Sequence, residues 1–174
     1  MKKLLCAALF MMSGTSWAGS DLETSGDALH LLLPATAMGA TLFYEEGYDG
    51  SWQLIQAAVS SRLIVEGLKY GVSKDRPDDS GDDSFPSGHT SDSFMAATFI
   101  QQRYGWQYGL PAYVAASYVG YTRVASDQHY LEDVLAGAAI GALAGWYFTQ
   151  PYEGITVTPI AGNGVYGLYV SGQF

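Results

Sequence analysis

The sequence predicts an all-α protein, a compact bundle of about five helices followed by a short C-terminal β-hairpin. Three observations lead to this prediction. Five long segments are largely apolar, and the last stretch of the chain instead alternates apolar and polar residues. The composition is 48% apolar and only 14% charged, whereas an average soluble domain has roughly 25% charged residues. The length of 174 residues suits one domain.

The helices are expected over residues 27–44, 52–72, 90–102, 110–122 and 130–148. Pro34 predicts a kink in the first helix, because proline removes a backbone hydrogen bond. A loop rich in Asp, Ser, Gly and Pro covers residues 74–86 and separates the second helix from the third. Gly and Ala in the fifth segment permit close helix packing. We expect one domain over residues 19–174.

Residues 155–174 predict a β-hairpin. The alternating pattern surrounds Gly162-Asn163-Gly164, which is a turn signal. The hairpin could be a small ribbon that covers the bundle, or a strand pair at a membrane. We favour the ribbon, because two strands alone would leave unpaired backbone groups in lipid.

The N-terminus resembles a secretory signal peptide over residues 1–18. Lys2 and Lys3 precede an apolar run at residues 4–12, and Ser16-Trp17-Ala18 offers small residues for cleavage after Ala18. The alternative is an uncleaved anchor, although the run is shorter than the roughly 20 residues of a spanning helix. Cleavage would remove the two lysines, so the net charge of −9 would become −11. It would also remove Cys6, the one cysteine.

The charge and cysteine content exclude several classes of protein. A net charge of −9 disfavours a nucleic-acid partner, because phosphates would repel the chain. A single cysteine excludes a disulfide framework and a zinc site built from cysteines. Disorder is excluded because the apolar content can form a core.

Scarce basic residues fall into three blocks with fixed spacing. Lys69 is followed after six residues by Arg76-Pro77, and the second block is Pro86-Ser87-Gly88-His89. In the third block, five residues separate Arg123 from His129, and three more separate His129 from Asp133. Lysine and arginine can neutralise a phosphoryl group. The N-terminus of a helix near Thr90 would also favour an anion. His129 and Asp133 are four positions apart, so on a helix they would share a face.

The three blocks resemble the motifs of the type 2 phosphatidic acid phosphatase (PAP2) superfamily, over about residues 67–146. Thr122 stands where the family pattern has serine, and it keeps the hydroxyl group. The resemblance implies that His129 attacks phosphorus and becomes a phosphohistidine, that Asp133 orients His129, and that His89 protonates the leaving oxygen and then activates water. It implies that no metal or other cofactor is required. It also implies five phosphate-binding residues: Lys69, Arg76, Ser87, Gly88 and Arg123.

The resemblance and the apolar helices together predict a phosphatase for a lipid phosphate, as a monoester or a diphosphate. Phosphatidate, phosphatidylglycerol phosphate and undecaprenyl diphosphate are the types of substrate we expect. The alternatives are a soluble periplasmic nonspecific acid phosphatase, a vanadium-dependent haloperoxidase, and a non-enzymatic phospholipid-binding membrane protein.

We expect an exported protein, either in the bacterial inner membrane with its active site facing the periplasm or soluble in the periplasm. Uncharged stretches at residues 28–44, 104–122 and 134–152 approach spanning length. Asp92, Gln101 and Gln102 in the third helix argue against a fully embedded bundle.

The remaining polar residues receive plainer interpretations. Arg62 and Arg103 are expected at helix ends or on the surface, Lys74 in solvent, and His30 in a structural role. Four acidic residues of the loop could hold calcium, but they lack a recognised ligand spacing. We therefore expect a solvated acidic loop beside the phosphate. These four are Asp78, Asp79, Asp82 and Asp83.

Overall fold

The computed structural model describes residues 18–152, 156–162 and 165–171. It consists of five α-helices and one antiparallel pair of strands, which confirms the predicted fold class. The predicted signal peptide lies outside the described residues except for Ala18, so it stays a prediction, as does the division into domains. The elements are α1 (Ala18–Tyr44), α2 (Asp49–Val72), α3 (Gly88–Tyr104), α4 (Trp106–Ala125), α5 (Leu131–Phe148), β1 (Thr156–Gly162) and β2 (Val165–Ser171).

Helix α3 is the centre of the bundle and packs against each of the other four helices. Its buried side chains include Met95 and Phe99, which lie in the apolar core. Helix α5 comes closest to α3 through glycines. A Cβ atom at Gly137 or Gly141 would overlap a backbone oxygen of the α3 segment. These glycines therefore hold the start of α3 against α5, where two of the sequence blocks lie.

Helix α1 begins nine residues earlier than residue 27, where the sequence predicts its start. The extra residues are mostly polar and lack helical apolar periodicity. Their helix is supported by α4, because Arg123 Nη2 donates a hydrogen bond to the Glu23 carbonyl oxygen at 2.9 Å. Gly26 also lies directly against the Thr122 side chain. A tertiary contact therefore extends α1 beyond what its own pattern indicates.

Arg103 lies in the last turn of α3, which agrees with the expected helix end. It is buried and not on the surface, because only 7% of the residue is exposed. Its Nε and Nη2 atoms donate to the two Glu45 carboxylate oxygens at 2.7 and 2.6 Å, and Tyr104 Oη donates to the same carboxylate. Glu45 follows the end of α1, so this ion pair fastens α1 to the end of α3.

Strands β1 and β2 pair in register from Thr156 opposite Ser171 to Gly162 opposite Val165. The predicted hairpin is therefore present, and its role as a cover for the bundle stays a prediction. Among the described residues, no helix combines the length and the apolar character that crossing a bilayer requires.

Candidate active site

The eight predicted site residues come together at one end of the bundle. The first block lies at the end of α2 and in the loop after it, and the second at the start of α3. The third runs from the end of α4 to the first turn of α5. Two backbone hydrogen bonds hold these segments in place: Ser84 N donates to Lys74 O, and Ser87 N donates to Asp133 O, both at 2.9 Å.

Lys69 and Arg76 converge on Asp83. Arg76 Nε and Nη2 lie 2.8 and 3.2 Å from the two Asp83 carboxylate oxygens. Lys69 Nζ donates to the Asp83 carbonyl oxygen and lies 3.5 Å from its Oδ2. The hydrogen bonds from Arg76 and the charge of Lys69 lower the pKa of Asp83 to about 2, although burial acts in the opposite direction. A phosphate bound by these two cations would therefore share them with Asp83.

Ser87 and Gly88 form the N-terminus of α3. Ser87 is the N-cap residue, and its Oγ accepts from Thr90 N at 3.5 Å and contacts Thr90 Oγ1 at 2.9 Å. The Ser87 amide already donates to Asp133. The Arg62 guanidinium lies beside Gly88, because a Cβ there would be 2.7 Å from Arg62 Nη1. The Ser87 and Thr90 amides of this turn thus already donate within the protein, and the start of a helix favours an anion.

His129 is buried, with 3% of the residue exposed, and it lies in the loop before α5. Its Nδ1 is 2.7 Å from the Ser84 carbonyl oxygen. A carbonyl can only accept, so this contact assigns the proton to Nδ1 and leaves the lone pair on Nε2. Burial, then the charges of Arg76 and Lys69, lower the pKa of His129 to about 4. The neutral imidazole is therefore the favoured form at neutral pH.

Asp133 reaches His129 through Ser84. The prediction that the two residues share a helix face is wrong, because α5 begins at Leu131 and His129 precedes it. Asp133 Oδ2 instead accepts from Ser84 Oγ at 2.6 Å and from the Tyr130 amide at 3.0 Å. The second bond caps α5. Asp133 therefore positions Ser84, whose carbonyl oxygen accepts from His129.

Lys74 is also placed differently from the prediction of a solvated loop lysine. Its Nζ lies 2.7 Å from Asp133 Oδ1, 2.8 Å from Glu132 Oε1 and 4.4 Å from the centre of the Tyr130 ring. Burial disfavours the ionised form of Asp133, but hydrogen bonds from Lys74 and Ser84 outweigh it and lower the pKa of that carboxyl. Asp133 is consequently an ionised group with every carboxylate oxygen bonded.

His89 is 37% exposed at its side chain and contacts a carboxylate directly. Its Nε2 lies 3.2 Å from Asp27 Oδ1, and Arg123 Nη1 lies 2.9 Å from the same oxygen. Burial, then the charges of His30 and Arg123, lower the pKa of His89 to about 4. Sequence reasoning missed Asp27, because it stands outside all three blocks. Its one signal was its place at the predicted start of the first helix.

His30, for which the sequence predicts a structural role, also lies at this end of the bundle. The centres of the His30 and His89 rings are 4.1 Å apart. His30 Nε2 lies 3.6 Å from Asp92 Oδ2, and its Nδ1 lies 3.3 Å from the Asp27 carbonyl oxygen.

The acidic loop beside the cations is bonded to basic and polar side chains. Besides the bonds to Asp83, Asp78 Oδ2 accepts from Gln128 Nε2 at 3.0 Å. In the described part of the chain, no group of three or more His, Cys, Asp or Glu side chains could hold a metal ion. Asp83 and Asp78 of this loop thus contact basic and polar side chains of the site.

Comparison with known proteins identifies relatives among lipid phosphatases. A lipid A 1-phosphatase of Porphyromonas gingivalis is 36% identical over 138 residues, which is 74% of this chain and 31% of that protein. A lipid A 4'-phosphatase of Helicobacter pylori is 30% identical over 143 residues, which is 76% of this chain and 71% of that protein. The chain therefore spans about a third of the first relative and most of the second.

Two solved structures share the fold. LpxE of Aquifex aeolicus has a TM-score of 0.62 and 21% identity, over 78% of this chain and 87% of that chain. A transmembrane PAP2 type phosphatidylglycerolphosphate phosphatase from Bacillus subtilis has a TM-score of 0.63 and 24% identity, over 78% and 76% of the two chains. Residues 50–155, which contain all three blocks, match the family model of the PAP2 superfamily. With its motif residues gathered at one end of a shared helical fold, the chain belongs to the PAP2 superfamily.

Proposed function

We propose that this protein is a phosphatase that hydrolyses a phosphate monoester or diphosphate of a lipid through a phosphohistidine, with no metal in the reaction. One observation carries the proposal: a buried imidazole with a fixed tautomer and a half-exposed imidazole with its own carboxylate accompany Lys69, Arg76 and Arg123 at one end of the bundle. Nucleophilic catalysis on phosphorus requires this combination of a lone pair, a proton donor and positive charge.

In the first step, the lone pair of His129 Nε2 attacks phosphorus, the P–N bond forms and the bond to the leaving oxygen breaks. His89 gives its proton to that oxygen, so the lipid leaves as an alcohol or as a phosphate. The His129 ring gains positive charge while its Nδ1–H donates to the Ser84 carbonyl. That carbonyl, and Asp133 acting through Ser84 Oγ, stabilise the charged ring.

In the second step, His89 is the base. It takes a proton from water, whose oxygen attacks phosphorus while the P–N bond breaks and the electron pair returns to His129 Nε2. Asp27 lies 3.2 Å from His89 Nε2 and stabilises the resulting imidazolium. The enzyme then holds inorganic phosphate and its original protons.

Two observations support a lipid as the substrate. The relatives that are 36% and 30% identical are named lipid A 1-phosphatase and lipid A 4'-phosphatase. The described helices also expose many large apolar side chains, which suit contact with lipid. More than half of each of the following residues is exposed: Leu31, Leu32, Leu42, Phe43, Tyr44, Trp52, Val59, Leu63, Trp106, Leu110, Val114, Leu135, Leu143 and Trp146.

The candidate substrates are lipids that carry phosphate next to acyl or isoprenoid chains. They are lipid A, phosphatidate, phosphatidylglycerol phosphate and undecaprenyl diphosphate. Such lipids fit the predicted place at the bacterial inner membrane, with the site facing the periplasm. Export through residues 1–18 stays a prediction.

The test is phosphate release by the purified full chain from these lipids in mixed micelles and from soluble nucleotides and sugar phosphates, with and without EDTA. We expect release from a lipid that EDTA leaves unchanged, and none from the His129→Ala variant. Loss of activity on chelation would contradict the metal-free reaction. Preference for the soluble esters would instead favour a nonspecific acid phosphatase. Oxidation of halide by peroxide with vanadate would favour a haloperoxidase.

A further inference from the structure

Outside the three blocks, a second imidazole lies against the proposed general acid. His30 belongs to α1 and His89 to α3, and their ring centres are 4.1 Å apart with an angle of 46° between the ring planes. Both rings are partly withdrawn from water, since 15% of the His30 side chain and 37% of the His89 side chain are exposed. Two positive charges at this separation would repel each other strongly.

Each imidazole faces a carboxylate of its own. Asp27 Oδ1 lies 3.2 Å from His89 Nε2, and Asp92 Oδ2 lies 3.6 Å from His30 Nε2. The pair is therefore arranged so that either ring can carry a proton beside an anion, while repulsion between the rings disfavours two protons at once.

Charged groups from every helix packed around the pair take part in this balance. Helix α1 provides Asp27 and α3 provides Asp92. Helix α2 provides Arg62, whose Nη2 is 3.7 Å from Asp92 Oδ2, and α4 provides Arg123, whose Nη1 is 2.9 Å from Asp27 Oδ1. Each of the two carboxylates thus also has an arginine beside it.

We propose that His30 and His89 share one proton, and that His30 is a positioning residue that controls how readily His89 donates it. The proposal rests on the proposed function, in which His89 protonates the leaving oxygen. While His89 carries the shared proton beside Asp27, competition from His30 and Asp92 makes His89 a stronger acid. Once His89 has given this proton to the leaving oxygen, neither ring is charged, so His89 can take a proton from water. The charge of His30 follows burial as a cause of the low pKa of His89.

The experiment is a titration of the ring nitrogens by nuclear magnetic resonance on the ¹⁵N-labelled full chain. In the unsubstituted protein, the curves of His30 and His89 should each show two steps at shared pH values, because coupled groups titrate together. In His30→Gln, the His89 midpoint should rise by about one pH unit, because a nearby positive charge is lost. In His30→Lys, a permanent positive charge should lower it.

The pH dependence of kcat/KM should follow these shifts. Its basic limb, where His89 loses its proton, should move to higher pH in His30→Gln and to lower pH in His30→Lys. A merely structural role would reduce the rate in both variants and move neither limb. Thr36→Gln is the matched control, because it places the same side chain at an exposed position on the same helix. It should leave both the titration and the pH profile unchanged.

Independent single-step curves in the unsubstituted protein, or shifts of one sign in both His30 variants, would overturn the proposal. The titration needs no turnover, so it separates two failures. A protein that hydrolyses no phosphate ester but shows opposite shifts contradicts the proposed function alone. An active protein whose His89 midpoint ignores position 30 contradicts the shared proton alone.

Discussion

The two histidines of the proposed mechanism differ in almost every feature of their surroundings. His129 is 3% exposed and bonds a backbone carbonyl, and its carboxylate acts through an intervening serine. His89 is 37% exposed, touches the Asp27 carboxylate directly and lies against a second imidazole. A nucleophile needs a fixed tautomer and an accessible lone pair, whereas an acid–base group must gain and lose a proton in each cycle. The two environments match these different tasks.

Both imidazoles nevertheless have a pKa lowered to about 4, and the causes after burial are separate. Arg76 and Lys69 act on His129, while His30 and Arg123 act on His89. A bound phosphate would neutralise the cations on both sides. Binding of substrate should therefore raise both pKa values towards their ordinary range and prepare His89 to carry the proton that it donates.

Replacing His129, the proposed nucleophile, should have the largest effect on activity. His129→Ala should abolish the phosphoenzyme and reduce kcat on the order of 10⁴–10⁶-fold, since nothing else supplies the attacking lone pair. Mass spectrometry after a quench that avoids acid would locate the phosphate. Gln107→Ala, at an exposed position on α4, is the control. Phosphate on His89, or a phosphoenzyme that persists in His129→Ala, would reverse the two roles.

Replacing the acid should have a smaller effect that depends on the substrate. His89→Ala should slow lipid hydrolysis by about 10²–10⁴-fold, because neither proton transfer is assisted. A nitrophenyl phosphate has an acidic leaving group that needs little protonation, so this variant should still form phosphoenzyme from it. Rapid-quench measurement of the initial burst checks this. An equal loss of the burst with both substrates would show that His89 does more than transfer protons.

Ser84→Ala tests the link between His129 and Asp133. It keeps the carbonyl that fixes the tautomer and removes the hydroxyl that bonds Asp133. We expect kcat to fall by about 10–100-fold, the value of one hydrogen bond to a charged group. If Asp133 acts through this hydroxyl, Asp133→Asn should cost much less in the Ser84→Ala protein than in the unsubstituted one. Full additivity in this double-mutant cycle would mean that Asp133 acts by another route.

The smallest effect concerns stability. Both histidines have a pKa near 4 when folded and 6.5 as the ordinary value, so the unfolded chain binds more protons between these pH values. Stability should therefore decrease as the pH falls from 6.5 to 4. Asp83, with its pKa at about 2, loses its contribution only below its ordinary value of 3.8. Tm measured across this window should fall, and less steeply in His129→Gln. A constant Tm would contradict the lowered values.

The helical fold class and the eight residues of the three blocks were predictable from the sequence. Composition and apolar patterning act locally, and motif spacing is visible along the chain. The same local evidence led to a wrong prediction where the prediction depended on an assumed helix. His129 and Asp133 are four residues apart, but α5 begins between them, because Asp133 uses its carboxylate to cap that helix.

The partners of these residues, in contrast, depend on tertiary packing. Asp27 and His30 reach His89 from α1 across about sixty residues of sequence. Lys74 reaches Asp133 across fifty-nine residues, and Arg103 reaches Glu45 across fifty-eight. No periodicity or spacing encodes such contacts, because they depend on how separate helices and loops pack. A charge that looks free in the sequence becomes bonded when packing removes water and brings an opposite charge within reach.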